Sequence, residues 1–234
     1  MKLSISQKFY IKFSHKKRLL ILGDSHTSVF DDAIFRKAIS NRYQLFIETV
    51  GGATISGLVN PNSKTNAQAI FESAFCKIKP DVLITQMGEV DTGFVIWYRA
   101  QKHKSSVEEM LELCVNNYCD FLKKYQGNQK TIVLSAPQPT IRDNQDWGEI
   151  ANLRKEISAS QQERTKLTLA FNSKMEENAR ALGVNFINLD TESIGDDGLV
   201  APFLLNDDNN DHHYAQEPYL ALIMKHLGNL LIEK

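Results

Sequence analysis

The sequence contains few cysteines and carries almost no net charge. Its 234 residues include only three cysteines, Cys76, Cys114 and Cys119, an odd number without the spacing of a metal site. This pattern predicts free, mostly buried thiols in a reducing cytoplasm rather than a disulfide framework. A formal net charge of −1 provides no basic surplus for a nucleic-acid partner or an anionic membrane surface.

Long apolar segments are also missing. No stretch reaches the roughly 18 consecutive apolar residues of a membrane-spanning helix. The basic beginning of the chain is followed by residues 9–15, which form neither an apolar h-region nor a small-residue cleavage site. We therefore expect no signal peptide, no membrane span and a cytoplasmic location.

Histidine is scarce, and none occurs between residues 104 and 211. A binuclear metallophosphoesterase needs several histidine ligands on the loops that this stretch would supply. The Asp24-x-His26 pair matches the motif that opens such a site. The histidine gap disfavours this hypothesis, which is kept as an alternative.

Short apolar runs alternate with helical patterns along the chain. Such runs predict five strands, at Arg18–Gly23, Tyr43–Glu48, Asp81–Gln86, Thr131–Ser135 and Val184–Leu189. Strands that alternate with helices favour right-handed crossovers and a parallel sheet covered on both faces. We therefore predict a single domain, residues 1–234, with a three-layer α/β/α sandwich, a five-stranded parallel sheet and a flavodoxin-like outline.

Helix signals fill most of the intervals between these strands. The apolar spacing and capping boxes predict helices at Val29–Ile39, Asn66–Ile78, Ser105 or Ser106 to Tyr125, Ser160 to Leu182, and Glu217–Leu231. Two connections, Thr92–Lys104 and Pro137–Ile157, are longer than a minimal sheet needs. Both follow a strand, where long connections commonly carry functional residues.

The best candidate nucleophile is Ser25, which directly follows the first predicted strand and Gly23. In open α/β sheets the ligand crevice lies outside the carboxyl ends of the strands. A serine in this position needs a base to accept its proton. The chain offers candidate bases in Asp211-His212-His213, just before the last helix. A helix N-cap is the alternative role of Ser25.

The spacing within this last group favours His213 as the base. An aspartate two residues before a histidine can fold back to a ring nitrogen in a turn, whereas the adjacent side chains of Asp211 and His212 tend to diverge. Asp211 would then hold His213, and His213 would accept the Ser25 proton. His212 stays the alternative base. The N–H groups of Ser25 and Gly52 are the predicted oxyanion donors.

Four motifs in order resemble those of the SGNH/GDSL hydrolases, and they span nearly the whole chain. They are Gly23-Asp24-Ser25, Gly51-Gly52-Ala53-Thr54, Gly88-Glu89-Val90-Asp91 and Asp211-His212-His213. The resemblance implies an ester hydrolase or O-acyltransferase that transfers an acyl group through Ser25, with an acylated carbohydrate as substrate. It implies no cofactor and no metal. The second and third motifs look like a branch linked to bacterial surface-polysaccharide genes.

Two positions depart from the family pattern. Val90 stands where the family has an asparagine whose side chain donates to the oxyanion. The family's last motif reads Asp-x-x-His, but Asp211 precedes His213 by only two residues. A catalytically inactive, carbohydrate-binding protein is therefore the second hypothesis.

Further residues are candidates for contact with a small-molecule or glycan ester. They are Asp24, His26, Glu89, Asp91, Tyr98, Arg99 and His212. Asp24 is also expected to accept backbone donors in its turn, and Asp91 to hold the loop after the third strand. Aromatic rings suit the apolar faces of sugars, although packing of the loop is an equal alternative for Trp97 and Tyr98.

Overall fold

A parallel five-stranded sheet organises the chain. The computed structural model describes residues 15–143, 157–208 and 210–231. The strands are β1 (Lys17–Gly23), β2 (Tyr43–Thr49), β3 (Val82–Gln86), β4 (Lys130–Leu134) and β5 (Asn185–Ile187). They lie in the order β2-β1-β3-β4-β5 with parallel pairing throughout. This is the flavodoxin-like order, so the predicted fold class is confirmed.

Helices connect the strands. The α-helices are α1 (Ala33–Ile39), α2 (Ile55–Leu58), α3 (Ala67–Ile78), α4 (Ile96–His103), α5 (Val107–Lys124), α6 (Gln161–Ala181), α7 (Asp190–Ser193) and α8 (Gln216–Leu231). Two 3₁₀ helices, Ser25–Asp31 and Pro202–Leu204, and one π-helical turn, Asp91–Val95, complete the elements of the described residues. Within the described ranges, no helix is both long enough and apolar enough to cross a bilayer.

Alternate strand residues face two separate hydrophobic cores. Leu20, Leu22 and Leu83 point to one side, where Phe71 of α3 and Phe171 of α6 pack against them. Their neighbours Leu19, Ile21 and Ile84 point to the other side, toward α1 and α8. Successive side chains of a strand alternate between its faces, so a sheet that is apolar on both faces is covered on both. The result is the predicted three-layer sandwich.

Capping boxes set the beginnings of two long helices. Ser106 and Glu109 exchange side-chain and backbone hydrogen bonds at the start of α5. Ser160 and Glu163 form the same reciprocal arrangement at the start of α6. Each box satisfies N–H groups that have no partner inside the helix. Of the two overlapping boxes in the sequence before α5, the second is the one that forms.

The first predicted helix, Val29–Ile39, needs correction. Asp32 is extended, with φ −72° and ψ 143°, and it divides the segment into a 3₁₀ helix and α1. Its carboxylate accepts a hydrogen bond from the Ile34 N–H at 2.6 Å. Aspartate is a strong N-cap, and here the cap overrides the continuous apolar spacing.

The structure describes the first of the two long connections completely and the second only in part. The connection Thr92–Lys104 is helical almost throughout, since the π-helical turn continues directly into α4. Single π-helical turns are frequent at functional sites. Of the connection Pro137–Ile157, residues 144–156 lie outside the described part of the chain.

Gly23 ends β1 where that strand lies closest to β3. A Cβ placed there would lie 2.1 Å from the Gln86 carbonyl oxygen and 2.5 Å from Thr27 Cγ2. We expect Gly23→Ala to lower the free energy of unfolding by about 2 kcal/mol or more, because the backbone must move to admit the methyl group. Gly51→Ala is the control, since a Cβ at Gly51 meets nothing within 4 Å. Equal denaturation midpoints for the two variants would contradict this account.

Candidate active site

Ser25 lies at the carboxyl edge of the sheet, as the sequence predicts. It is half-buried and begins the 3₁₀ helix that directly follows β1. Asp24 caps this helix, because its Oδ1 accepts the His26 N–H at 3.0 Å. Asp24 is fully buried, and its role in this structure is to shape the turn. The cap agrees with the backbone-accepting role expected of Asp24, and its burial leaves no exposed surface for a substrate contact.

Asp211 and His213 form a carboxylate–imidazole pair. Asp211 Oδ1 lies 2.6 Å from His213 Nδ1 and also accepts the His213 backbone N–H at 2.9 Å. Burial raises the pKa of Asp211, but the hydrogen bonds from His213 outweigh it and hold that pKa below its ordinary value. The ionised carboxylate assigns the ring proton to Nδ1 and leaves the Nε2 lone pair as the basic site.

The other ring nitrogen of His213 is enclosed beside His26. His213 Nε2 has no hydrogen-bond partner among the described residues. The His213 ring centroid lies 4.8 Å from that of His26, the residue that follows Ser25. No hydrogen bond joins Nε2 to Ser25 Oγ among the described contacts. In enzymes without substrate such contacts are often long, and they shorten on binding.

Two further histidines pack against His213. The ring centroid of His212 lies 4.2 Å from that of His213 and 6.0 Å from that of His26. His26 is buried, with Nδ1 3.1 Å from Asp24 Oδ1. We call Asp24, His26, Asp211, His212 and His213 the histidine cluster. Sequence analysis named each of these residues, but it did not predict that the three imidazoles would meet.

The loop after β4 holds the last motif in position. Thr140 Oγ1 donates to the His212 carbonyl oxygen at 2.6 Å. The Gln138 N–H donates to the Tyr214 hydroxyl, also at 2.6 Å. Sequence analysis missed Thr140, Gln138 and Tyr214, because each contact joins residues more than 70 positions apart and no local pattern reports it.

Gly52 occupies the turn after β2 in a left-handed conformation, with φ +68°. Glycine adopts this conformation without steric cost. The Val50 N–H donates to the Gly23 carbonyl oxygen at 2.9 Å, which holds this turn beside the end of β1. No described residue accepts a hydrogen bond from the N–H of Ser25 or Gly52. Both donors are therefore available to a ligand.

Asp91 anchors the segment that follows this turn. Its carboxylate accepts the Ile55 N–H at 2.8 Å and the Ser56 N–H at 3.3 Å, at the beginning of α2. Asp91 has no exposed surface. Its carboxylate thus accepts hydrogen bonds from the main chain, and none of its surface is exposed for a substrate. The segment that Asp91 holds lies after β2, not after β3 as predicted.

Asp91 makes stability depend on pH. Burial raises its pKa from 3.8 to about 7, against the two backbone hydrogen bonds. The folded protein therefore holds this proton more tightly than the unfolded chain. Its contribution to the free energy of unfolding is complete below about pH 4 and is lost as pH rises toward 7. We expect the free energy of unfolding of Asp91→Asn, measured with urea, to fall less over this pH range than that of the unmodified protein. Parallel profiles for the two proteins would contradict this assignment.

The other predicted substrate contacts differ in exposure. Glu89 is buried, with 3% of its surface exposed, and Arg99 is half-buried. Tyr98 is exposed and stacks on Phe94, with ring centroids 5.6 Å apart. Trp97 donates its indole N–H to a main-chain oxygen one turn earlier, at 2.8 Å. Packing thus explains Trp97, whereas Tyr98 is partly exposed and has Lys102 Nζ 5.6 Å from its ring centroid.

Val90 contributes no polar group at the sheet edge. It lies in helical conformation, with φ −65° and ψ −35°, at the beginning of the π-helical turn. The backbone N–H groups of Ser25 and Gly52 have no acceptor among the described contacts.

No family model and no curated protein matches the chain. Solved structures do resemble it, among them a GDSL-like lipase from Bacteroides thetaiotaomicron, with 14% identity and a TM-score of 0.62 over 98% of this chain and 93% of the other. A carbohydrate acetylesterase from Sinorhizobium meliloti has 14% identity and a TM-score of 0.63, over 92% of this chain and 100% of the acetylesterase. A carbohydrate acetylesterase family member from the same organism has 11% identity and a TM-score of 0.60, over 92% of this chain and 99% of the other. The chain therefore has the fold of the GDSL-type hydrolases.

Proposed function

We propose that this protein is a serine ester hydrolase that carries the acyl group on Ser25 Oγ. The observation that supports this most is the Asp211–His213 pair, with 2.6 Å between Oδ1 and Nδ1, packed against the residue that follows Ser25. The likeness to lipase and acetylesterase structures supports the same chemistry.

Ser25, His213 and the two backbone N–H groups each have a defined role in the mechanism. His213 Nε2 accepts the Ser25 hydroxyl proton while Oγ attacks the carbonyl carbon of the ester. The N–H groups of Ser25 and Gly52 donate to the resulting oxyanion. Protonated His213 gives its proton to the departing alcohol, and the acyl group stays on Oγ. A water molecule deprotonated by His213 then attacks the acyl carbon, which releases the carboxylic acid and restores Ser25.

Val90 affects the rate of this reaction rather than its course. Loss of one oxyanion donor costs about 3 kcal/mol, or roughly two to three orders of magnitude in kcat. Two backbone donors remain in place. We expect a slow esterase that follows the full acyl-enzyme sequence.

We assign an acylated carbohydrate as the substrate class. The likeness to a carbohydrate acetylesterase structure supports this class, and the exposed part of the Tyr98 side chain is a candidate contact for a sugar ring. If a sugar hydroxyl replaces water in the second half of the reaction, the same groups carry out O-acyl transfer.

Ester hydrolysis in the presence of EDTA tests the proposal. Purified protein should release acetate from p-nitrophenyl acetate and from acetylated sugars, and EDTA should lower neither rate, because no step uses a metal. Loss of activity in EDTA that Mn²⁺ or Zn²⁺ restores would support the metallophosphoesterase hypothesis instead.

A further inference from the structure

The histidine cluster holds more ligand groups than the proposed reaction uses. Asp211 and His213 have roles in the acyl transfer, whereas His26 and His212 have none. All three imidazole centroids nevertheless lie within 6.0 Å of one another. Imidazole is a preferred ligand of zinc, copper and nickel ions.

The spacing of the last motif suits a metal ion. Asp211, His212 and His213 each offer a ligand atom, and these atoms all lie within 4.8 Å of one another. Ligands of a tetrahedral zinc ion, with bonds of about 2.1 Å, lie roughly 3.4 Å apart. The three side chains are half-buried. Because Asp211 already holds His213 at Nδ1, the ring nitrogens that can meet on one ion are His213 Nε2 and one of those of His212.

Unpartnered polar atoms give a second, independent indication. His213 Nε2 and Asp24 Oδ2 are enclosed without a hydrogen-bond partner among the described residues. Asp24 is completely buried, and its other oxygen lies 3.1 Å from His26 Nδ1. In metal sites a carboxylate commonly orients a histidine ring in this way. An enclosed polar atom without a partner is costly, and a bond from His213 Nε2 to a cation would give that atom a partner.

A small cavity gives an ion access to the cluster. It encloses about 120 Å³, and its walls include His26, Asp211 and His213. The ion therefore has a polar entry path from the side of the histidines.

We propose that His212 and His213 bind a Zn²⁺-type ion through ring nitrogens, with Asp211 holding the His213 ring at Nδ1 and His26 as the adjacent imidazole, and that the ion inhibits the esterase. The His213 Nε2 lone pair bonds either to the ion or to the Ser25 proton, but not to both. The inhibitory part rests on the proposed function, whereas the binding part does not.

Binding is measured by calorimetric titration of Zn²⁺ into chelator-treated Ser25→Ala, so that catalysis plays no part. We expect one site with a Kd in the micromolar range or tighter. His212→Ala and His212→Gln, each made in this background, should weaken binding at least tenfold, since both remove the imidazole and the second keeps a polar side chain. His103→Ala is the matched control, because His103 is exposed at the end of α4. A Kd weaker than 1 mM, or equal weakening by the control, would overturn the site.

Inhibition is measured in the esterase assay. Zn²⁺ should abolish hydrolysis, with half-inhibition at a Zn²⁺ concentration near the Kd, and EDTA should restore the activity. His212→Gln should raise this half-inhibiting concentration at least tenfold. Hydrolysis that Zn²⁺ stimulates, or that persists above the Kd, would overturn the inhibitory role. If Zn²⁺ binds but the protein hydrolyses no ester, the proposed function fails and the metal site stands.

Discussion

Ser25→Ala is expected to lower kcat for p-nitrophenyl acetate by at least about three orders of magnitude, with little change in KM. The substitution removes the atom that attacks the ester, and the two backbone oxyanion donors remain. Initial rates measured under identical conditions give the comparison. Ser28→Ala is the matched control, because Ser28 is an exposed serine of the same 3₁₀ helix, and its kcat should stay within about threefold. A Ser25→Ala enzyme that keeps a tenth of the activity would contradict the assignment.

The loss in Ser25→Ala should not reflect unfolding. Ser25 Oγ makes no hydrogen bond with the other described residues, and the side chain is only half-buried. We therefore expect the thermal unfolding midpoint to stay close to that of the unmodified protein.

His213→Ala is expected to lower kcat by a similar factor, whereas His212→Ala should affect mainly KM. His213 supplies the base, and losing a triad base costs orders of magnitude in kcat. His212→Ala keeps the main-chain carbonyl that accepts the Thr140 hydroxyl, so the loop stays anchored. Asp211→Asn should fall between the two, because the ring loses its ionised partner but the base is still present. The comparison requires kcat and KM for all three variants.

The opposite results for these variants would assign the base to a different group. If His212→Ala is inactive and His213→Ala is active, the base is His212 and the Asp211–His213 pair is only structural. If neither substitution matters while Ser25→Ala does, the proton acceptor is another group. His26, with its ring 4.8 Å from that of His213, is then the nearest remaining imidazole.

Local patterns in the sequence were sufficient for much of the fold. The apolar runs predicted all five strands with ends within two residues of those observed. The boxes at Ser106 and Ser160 predicted where α5 and α6 begin. The hydrogen bond from His213 to the Asp211 carboxylate follows from a two-residue spacing, since an aspartate readily folds back over a turn. Each of these features depends on residues that are close in sequence.

Features that depend on distant contacts could not be predicted in this way. The carboxylate of Asp91 holds Ile55 and Ser56, which are more than 30 residues away. The approach of His26 to His212 and His213 arises because β1 and the loop before α8 meet at one sheet edge. Asp32 divides the first helix because a side-chain cap competes with the apolar spacing, and a periodicity argument does not include that competition.

The most direct test of the central claim is covalent labelling by a fluorophosphonate, followed by peptide mass spectrometry. The account predicts one phosphonyl adduct, on the Oγ atom of Ser25, that is absent from Ser25→Ala and forms much more slowly in His213→Ala. An adduct on another residue, or labelling that persists in Ser25→Ala, would contradict the assignment of Ser25 as the nucleophile.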